Sequence, residues 1–198
     1  ERKVRVLNGA HTASVSAGLL CGLDIVRDCM RDPDLGAFIR RVVKEEIVPF
    51  VPLPTAEAEV FAAAVFERFE NPYIDHALLS IALNSVSKWK TRVLPSFREY
   101  YAANGSVPRL ITFSFAALLA LYRADAYAVR DDAAVLHFFA AHRGDDEATF
   151  VTAAAAETAF WGEDLTQYDG FCETVLRDLR ALCIDARRAV QTVLTERG

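Results

Sequence analysis

Residues 110–122 are the feature that most constrains the fold, because this run is apolar on almost every side of a helix. Pro108 precedes the run and suits a helix start, while only Thr112 and Ser114 interrupt its hydrophobic side chains. A helix without a polar face has to be covered on all sides by other elements. The run is also too short to cross a bilayer. It therefore predicts the central helix of a multihelical bundle.

The rest of the chain is also patterned as helices, and no stretch shows the alternation typical of a strand. Asp32-Pro33 predicts an N-cap with a first-turn proline, and Asn104-Gly105 predicts a helix end. Thr55 is expected to cap the helix that follows the proline-rich connector, and residues 75–86 are apolar enough to be expected in the core. Helices are predicted at residues 8–20, 23–30, 33–48, 55–69, 95–103, 110–122, 132–142, 146–161, 171–182 and 184–196. The prediction is one all-α domain over residues 1–198.

Composition limits the classes of partner. The 198 residues carry 22 basic and 27 acidic side chains, a net charge of −5, which is unlike the basic surface of a nucleic-acid-binding domain. We find no signal peptide and no membrane-spanning run. Cys21, Cys29, Cys172 and Cys183 allow two disulfides, but their scattered apolar helical contexts favour small buried thiols of a cytoplasmic protein.

Lys3, Asn8 and His11 form the pattern K-x4-N-x2-H near the start of the chain. On an ideal α-helix Asn8 and His11 lie about 60° apart, and Lys3 falls within an arc of about 140° that contains all three. An ammonium, an amide and an imidazole can therefore face one cleft. Gly9 and Ala10 between them permit another group to come close to the backbone. From the residues alone, the favoured interpretation is structural, with Asn8 as a helix cap and His11 as a half-buried helix residue.

This stretch resembles the catalytic signature of the mannitol dehydrogenase family, the polyol-specific long-chain dehydrogenases. This stretch is the first of four blocks that extend the resemblance in order along nearly the whole chain, and the third and fourth resemble the branch of tagaturonate reductases (altronate oxidoreductases). The second block is RFENPYIDH at 68–76, the third is LLSIALNS at 78–85 continuing to KWKTRVLP at 88–95, and the fourth is EDLTQ at 163–167. The resemblance implies a multihelical C-terminal domain like that of 6-phosphogluconate dehydrogenase-like enzymes.

The resemblance also implies a metal-free reaction in which NAD carries the hydride and the protein moves the proton. Lys3 would be the general acid in ketone reduction and the general base in alcohol oxidation. Asn8 would donate its amide N–H to the carbonyl oxygen. His11 would hydrogen-bond a substrate hydroxyl or the same oxygen. The expected reaction is the interconversion of D-tagaturonate and D-altronate in hexuronate breakdown.

Five further side chains are candidates for substrate contact. Arg68, Asn71 and His76 stand in the second block, although Arg68 also fits a solvated cation and Asn71 a helix end. Lys88 and Arg92 stand in a cationic cluster with Lys90, and a hexuronate carboxylate needs such cations. An exposed cationic helix end explains the same cluster. Trp89, inside it, is expected to pack.

Other features bound the function. There is no G-x-G-x-x-G after a strand, so the nucleotide-binding domain typical of the family is expected to precede this region and to be absent from the chain. The 198 residues alone are then expected not to turn over substrate. His137 and His142 lack a carboxylate at metal-ligand spacing, and we predict no metal site.

Alternative functions remain open at this point. Fructuronate or a neutral polyol such as mannitol would suit the same family. A non-enzymatic helical interaction module is the alternative from another class, and it predicts an exposed apolar groove with Lys3 in solvent.

Overall fold

The computed structural model describes residues 3–196, and helices follow one another through this whole range. The α-helices are α1 (Gly9–Leu20), α2 (Val26–Arg31), α3 (Pro33–Arg41), α4 (Thr55–Phe69), α5 (Leu78–Ile81), α6 (Ser85–Arg92), α7 (Leu94–Asn104), α8 (Arg109–Ala124), α9 (Ala133–Ala141), α10 (Glu147–Ala156), α11 (Thr158–Trp161), α12 (Phe171–Ile184) and α13 (Ala186–Thr195). Two π-helical turns, Lys3–Asn8 and Val42–Ile47, and two 3₁₀ turns, Val48–Phe50 and Leu165–Gln167, complete the set.

The prediction of an all-α multihelical domain is confirmed. Within residues 3–196 there is no β-strand, and the β pairing consists of an isolated antiparallel bridge between Ile25 and Ala77. None of the helices in this range is long and apolar enough to cross a membrane.

Helix α8 lies at the centre, as its sequence predicts. Every residue of the run 110–122 is buried, and α1 and α12 pack along the helix. Trp89 and Trp161 meet Phe115 with ring centroids 4.9 and 5.0 Å away. The Trp89 indole donates a hydrogen bond to Ser114 at 3.1 Å, so Trp89 packs in the core as expected.

The start of α8 is capped from outside its own segment. Pro108 precedes the helix and offers no side-chain acceptor for the first N–H groups. The buried carboxylate of Glu46 accepts those hydrogen bonds instead, from the Leu110 amide at 2.8 Å and the Ile111 amide at 2.7 Å. The second π-helical turn therefore caps the N-terminus of α8, which is the positive end of the helix dipole.

Local signals place most helix ends correctly. The Asp32 carboxylate accepts from the amides of Asp34 and Leu35 at the start of α3, and Gly105 ends α7 in the left-handed region at φ 67°. The prediction that Thr55 caps α4 is wrong. Pro54 occupies the N-cap position, Thr55 is the first residue of the helix, and no side chain makes a capping hydrogen bond there. A proline fixes the turn there without any side-chain acceptor.

Two longer predictions also need correction. Residues 75–86 do not lie in the core as a block: α5 is one short turn, and Leu79 and Leu83 are 47% and 44% exposed. The predicted helix 146–161 is broken at Glu157, whose extended backbone and capping carboxylate start α11. Helix 33–48 loses its α hydrogen bonding after Arg41 and continues as the second π-helical turn.

All four cysteines are free thiols. Cys29 is buried, as expected of a small hydrophobic residue, and burial raises the pKa of its thiol to about 12. Cys183 departs from that expectation because it is exposed.

Candidate functional site

The stretch that carries Lys3, Asn8 and His11 is a π-helical turn that runs directly into α1. In a π-helix the hydrogen bonds join residues five apart, so two such residues lie closer to the same side of the helix than they do in an α-helix. Lys3 and Asn8 are five apart and are therefore better aligned than ideal α-helical geometry predicts. Lys3 is exposed and Asn8 is half-buried, with the Asn8 carbonyl accepting from the Thr12 hydroxyl at 2.9 Å. No hydrogen bond joins the side chains of Lys3, Asn8 and His11 in the described structure.

Close packing around position 9 explains why the residue at this junction is a glycine. A Cβ at position 9 would lie 3.1 Å from the carbonyl oxygen of Arg92 and 3.8 Å from the Ile47 side chain. The end of α6 and the second π-helical turn therefore press directly on the backbone where α1 begins. This contact confirms the expectation that small residues here allow another group to approach.

His11 is held between two rings and keeps one nitrogen unsatisfied. It stacks on Phe69 with centroids 4.1 Å apart and planes 15° apart, and His76 stands edge-on to it at 5.8 Å. Its Nε2 atom is buried and has no hydrogen-bond partner. Burial lowers the pKa of His11 to about 4, and repulsion from His76 and Arg92 acts in the same direction. The ring is therefore neutral at neutral pH, and its buried Nε2 is left without a hydrogen-bond partner.

The cleft over this ring is built from three parts of the chain. Its lining residues are His11, Val26, Arg68, Phe69, Ile74 and His76. Two of the predicted substrate contacts, Arg68 and His76, thus meet a predicted catalytic residue, and both are exposed at the mouth. Asn71 is not in the lining, because its Oδ1 accepts from the Tyr73 amide at 2.9 Å and shapes the loop instead.

Lys88 and Arg92 lie one turn apart on α6 and are both half-buried. The Lys88 ammonium donates to the Ile81 carbonyl at 2.9 Å, and an Arg92 guanidinium nitrogen lies 3.5 Å from the Thr12 hydroxyl. Burial lowers the pKa of both side chains, and repulsion by Arg92 lowers that of Lys88 further. Neither forms an ion pair with a carboxylate of residues 3–196.

Lys90, the third member of the cationic cluster, is turned away from the other two. Its side chain lies against Gly162, where an added Cβ would come within 3.1 Å of the Lys90 Cε. The cluster therefore splits in the structure: Lys88 and Arg92 act on His11, together with Arg68 from α4, whereas Lys90 does not lie toward it.

Several neighbours were missed by sequence reasoning. Phe69, Val26 and Ile74 line the cleft, Thr12 touches Arg92, and Arg27 holds the loop that carries His76. Thr12 had a signal available because it directly follows His11, and Phe69 and Ile74 had one because they lie inside the block 68–76. Arg27 had none, since its role depends on a long-range contact.

The remaining histidines lie elsewhere. His137 is exposed, and His142 is hydrogen-bonded through Nδ1 to the Asp145 carboxylate at 2.7 Å, so His142 does have an acidic partner that the spacing argument overlooked. No group of three or more His, Cys, Asp or Glu side chains in residues 3–196 is arranged to hold a metal ion. The same range has no parallel sheet with a glycine-rich turn, the arrangement that holds the dinucleotide in doubly wound folds.

The structure thus defines an all-α domain in which a neutral imidazole faces a narrow cleft, with the half-buried cations Lys88 and Arg92 near enough to lower its pKa. Residues 1–183 match the family described as the mannitol dehydrogenase C-terminal domain. The chain belongs to the mannitol dehydrogenase family.

Curated relatives are similar over almost the whole chain. The altronate oxidoreductase of Escherichia coli (strain K12) is 45% identical over 194 residues, and that of Escherichia coli O7:K1 (strain IAI39 / ExPEC) is 44% identical over 192 residues. Each alignment covers 92% of this chain and 40% of the relative, so the chain spans about 40% of the length of these proteins.

Two solved structures share the fold. Mannitol 2-dehydrogenase of Pseudomonas fluorescens, in a ternary complex with NAD and D-mannitol, matches 98% of this chain and 39% of its own with a TM-score of 0.84 at 22% identity. A D-sorbitol dehydrogenase in substrate-free form matches 96% of this chain and 39% of its own with a TM-score of 0.77 at 18% identity.

Proposed function

We propose that this chain is the substrate-binding and catalytic C-terminal domain of an NAD-dependent oxidoreductase that interconverts D-tagaturonate and D-altronate. The observation that carries the proposal is the pair Lys88 and Arg92, which are half-buried, form no ion pair with a carboxylate of residues 3–196 and act on His11, whose Nε2 is unpaired. The family and the similarity to altronate oxidoreductases support it. NAD binding is assigned to a nucleotide-binding domain that precedes these residues, as the greater length of the relatives suggests.

The charge around the cleft favours a substrate with a carboxylate. A partly buried cation costs free energy unless an anion pairs with it, and such a pair is strongest when charge-assisted hydrogen bonds form. Arg92 and Lys88 have no such anion within the described residues, although the chain as a whole is acidic. A hexuronate carboxylate fits this requirement, whereas a neutral polyol leaves both cations unpaired.

The roles proposed for the three motif residues are those that the family resemblance implies, and their places on the π-helical turn and at the start of α1 are compatible with them. Lys3, exposed on the π-helical turn, transfers the proton at the substrate oxygen, and a domain closing over it would exclude water and make its amine a better base. Asn8 donates its amide N–H to the same oxygen. Neutral His11 hydrogen-bonds a hydroxyl through the unsatisfied Nε2 and so fixes the sugar chain.

The loop residues have different parts in the proposal. Arg68 and His76 contact the substrate from the mouth of the cleft, where both are exposed. Asn71 contributes through the turn that it stabilises around Tyr73. Isolated residues 1–198 are expected to be inactive, because hydride transfer needs the nucleotide-binding domain.

The test compares substrates across variants of the full-length enzyme. Lys88→Met and Arg92→Met should each lower kcat/KM for tagaturonate by about tenfold to a hundredfold, because each removes one charge-assisted contact to the carboxylate. Lys90→Met is the matched control, since Lys90 lies on the same helix but faces Gly162. It should leave kcat/KM unchanged.

Fructose and fructuronate complete the design. Fructose has no carboxylate, so its turnover should not fall in the Lys88 and Arg92 variants. A preference for fructuronate would keep the uronate reading and change the substrate, whereas equal losses with fructose and tagaturonate would refute a carboxylate-specific role. If the full-length protein turned over no sugar, the result would favour a helical interaction module. The exposed Lys3 and the exposed apolar residues Tyr73 and Leu79 would then support that alternative.

A further inference from the structure

The segment between α4 and α5, residues 70–77, is here called the cleft loop. It carries Ile74 and His76 to the cleft over His11, yet most of it is exposed, with Tyr73 93% accessible. An exposed loop of this kind has few contacts of its own to fix its position. Something outside the loop must therefore hold His76 edge-on to His11 at 5.8 Å.

Arg27, on α2, is the side chain that spans the cleft loop. Its Nη1 donates to the Pro72 carbonyl at 2.7 Å and, more weakly, to the Asn71 carbonyl at 3.4 Å. Its Nη2 lies 2.6 Å from the Asp75 carboxylate. One planar guanidinium thus ties both ends of the turn together, which the point charge of a lysine does less well.

Backbone pairing continues the same attachment beyond Arg27. The Val26 amide donates to the His76 carbonyl at 3.0 Å, and the Leu78 amide donates to the Asp24 carbonyl at 2.8 Å. Val26 itself lines the cleft. Backbone pairing thus reaches the loop at His76, and Arg27 contacts the preceding part of the loop, residues 71–75, that this pairing does not reach.

The burial of Arg27 supports this role. Its side chain is 15% exposed, whereas Asp75 is 67% exposed. An ion pair with so exposed a partner contributes little by itself, so the backbone carbonyls are the more important acceptors. Nothing else in the proposed reaction uses Arg27.

We propose that Arg27 is a positioning residue that holds the cleft loop so that His76 and Ile74 close the cleft over His11. The inference rests on the proposed function, because it assigns Arg27 a part in binding the same substrate. Without the clamp the loop moves outward, water reaches the His11 ring, and the mouth of the cleft no longer matches the substrate.

The experiment uses the full-length enzyme with Arg27→Ala, Arg27→Lys and the control Arg31→Ala. Arg31 lies on the same helix, is exposed and forms no ion pair in the described range. Steady-state kinetics give KM and kcat for tagaturonate, and hydrogen exchange followed by mass spectrometry reports on the amides of the cleft loop. Circular dichroism and thermal unfolding check that each variant is folded.

Arg27→Ala should raise KM for the sugar acid by about tenfold with a smaller change in kcat, since it alters binding geometry and not the proton transfer. Exchange of the cleft-loop amides should accelerate by about tenfold or more, because local opening becomes easier. Arg27→Lys should recover part of both effects, and Arg31→Ala should behave as wild type. Asp75→Asn, which is expected to fold normally, should give a smaller change in the same direction.

If hydrogen exchange of the cleft-loop amides were unchanged in a folded Arg27→Ala variant, the proposal that Arg27 holds the loop would be overturned, whatever the activity. Faster exchange with wild-type KM would overturn its role in substrate positioning. A wild-type enzyme without activity on any hexuronate would count against the proposed function instead, and the exchange measurement would still decide whether Arg27 holds the loop.

Discussion

Glu46→Gln tests how the central helix is capped. Burial raises the pKa of Glu46 from 4.5 to about 7, although the amides of Leu110 and Ile111 and the charge of Arg109 pull it down, and Glu45 adds to the rise. Glutamine keeps an acceptor oxygen for the N-terminus of α8 but cannot ionise. Comparing the two proteins across pH therefore isolates the ionisation of this one carboxyl group.

The sign and size follow from proton linkage. The folded state holds the Glu46 proton up to a higher pH than the unfolded state does, so the stabilisation is complete below about pH 4.5 and is lost as pH rises through about 7. A shift of about 2.5 pKa units corresponds to about 3 kcal/mol of unfolding free energy. For a chain of this size that is a shift in Tm of about 6–12 °C.

The assay is denaturant unfolding followed by circular dichroism at pH 5 and pH 8 for both proteins. The wild type should lose about 3 kcal/mol more than Glu46→Gln between these two values. Other groups titrate in both proteins and cancel in the comparison. A difference that stays constant with pH would refute the reasoning. If the wild type instead became more stable relative to Glu46→Gln at pH 8, the two hydrogen bonds from the amides would outweigh the cost of burying the charged carboxylate.

Two further perturbations test contacts that the structure brings out. Gly9→Ala should lower the unfolding free energy by about 1–3 kcal/mol in thermal unfolding, because the new Cβ would lie 3.1 Å from a backbone carbonyl oxygen of α6. Gly144→Ala is the control: its Cβ would meet nothing within 4 Å, so it should not destabilise the protein. Asp178→Ala should cost about 1–3 kcal/mol, because it removes the buried carboxylate that accepts two hydrogen bonds from the half-buried Arg109 and leaves this arginine paired with Glu196. Arg180→Ala, in an exposed pair, should stay within about 1 kcal/mol, and a larger loss in Arg180→Ala than in Asp178→Ala would contradict this ranking.

Local sequence patterns predicted the framework well where the cause is local. The run 110–122 is buried because no face of it is polar, and α3 and α7 begin and end at residues that satisfy or terminate helical hydrogen bonds. Residues 75–86 show the limit of the same reasoning. Hydropathy reports how apolar a segment is but not which neighbour covers it, and Leu79 and Leu83 face outward in this domain.

The site was predictable only in part. The motif and the second block identified His11, Arg68 and His76, which the structure brings to one cleft. The π-helical turns were missed because a shifted hydrogen-bond register has no local sequence signature. Arg27 was missed for a similar reason, since its contacts bridge residues 44 and 45 positions away.

The central claim is that the stretch around Lys3 performs proton transfer on a sugar acid. The most direct measurement is NADH oxidation by the full-length enzyme with tagaturonate, fructuronate and fructose in parallel, for wild type, Lys3→Ala and the exposed control Lys44→Ala. The account predicts a preference for tagaturonate and a loss in Lys3→Ala of about a hundredfold or more, with Lys44→Ala unaffected. Wild-type activity in a folded Lys3→Ala variant would contradict it and leave the stretch as the start of a helix.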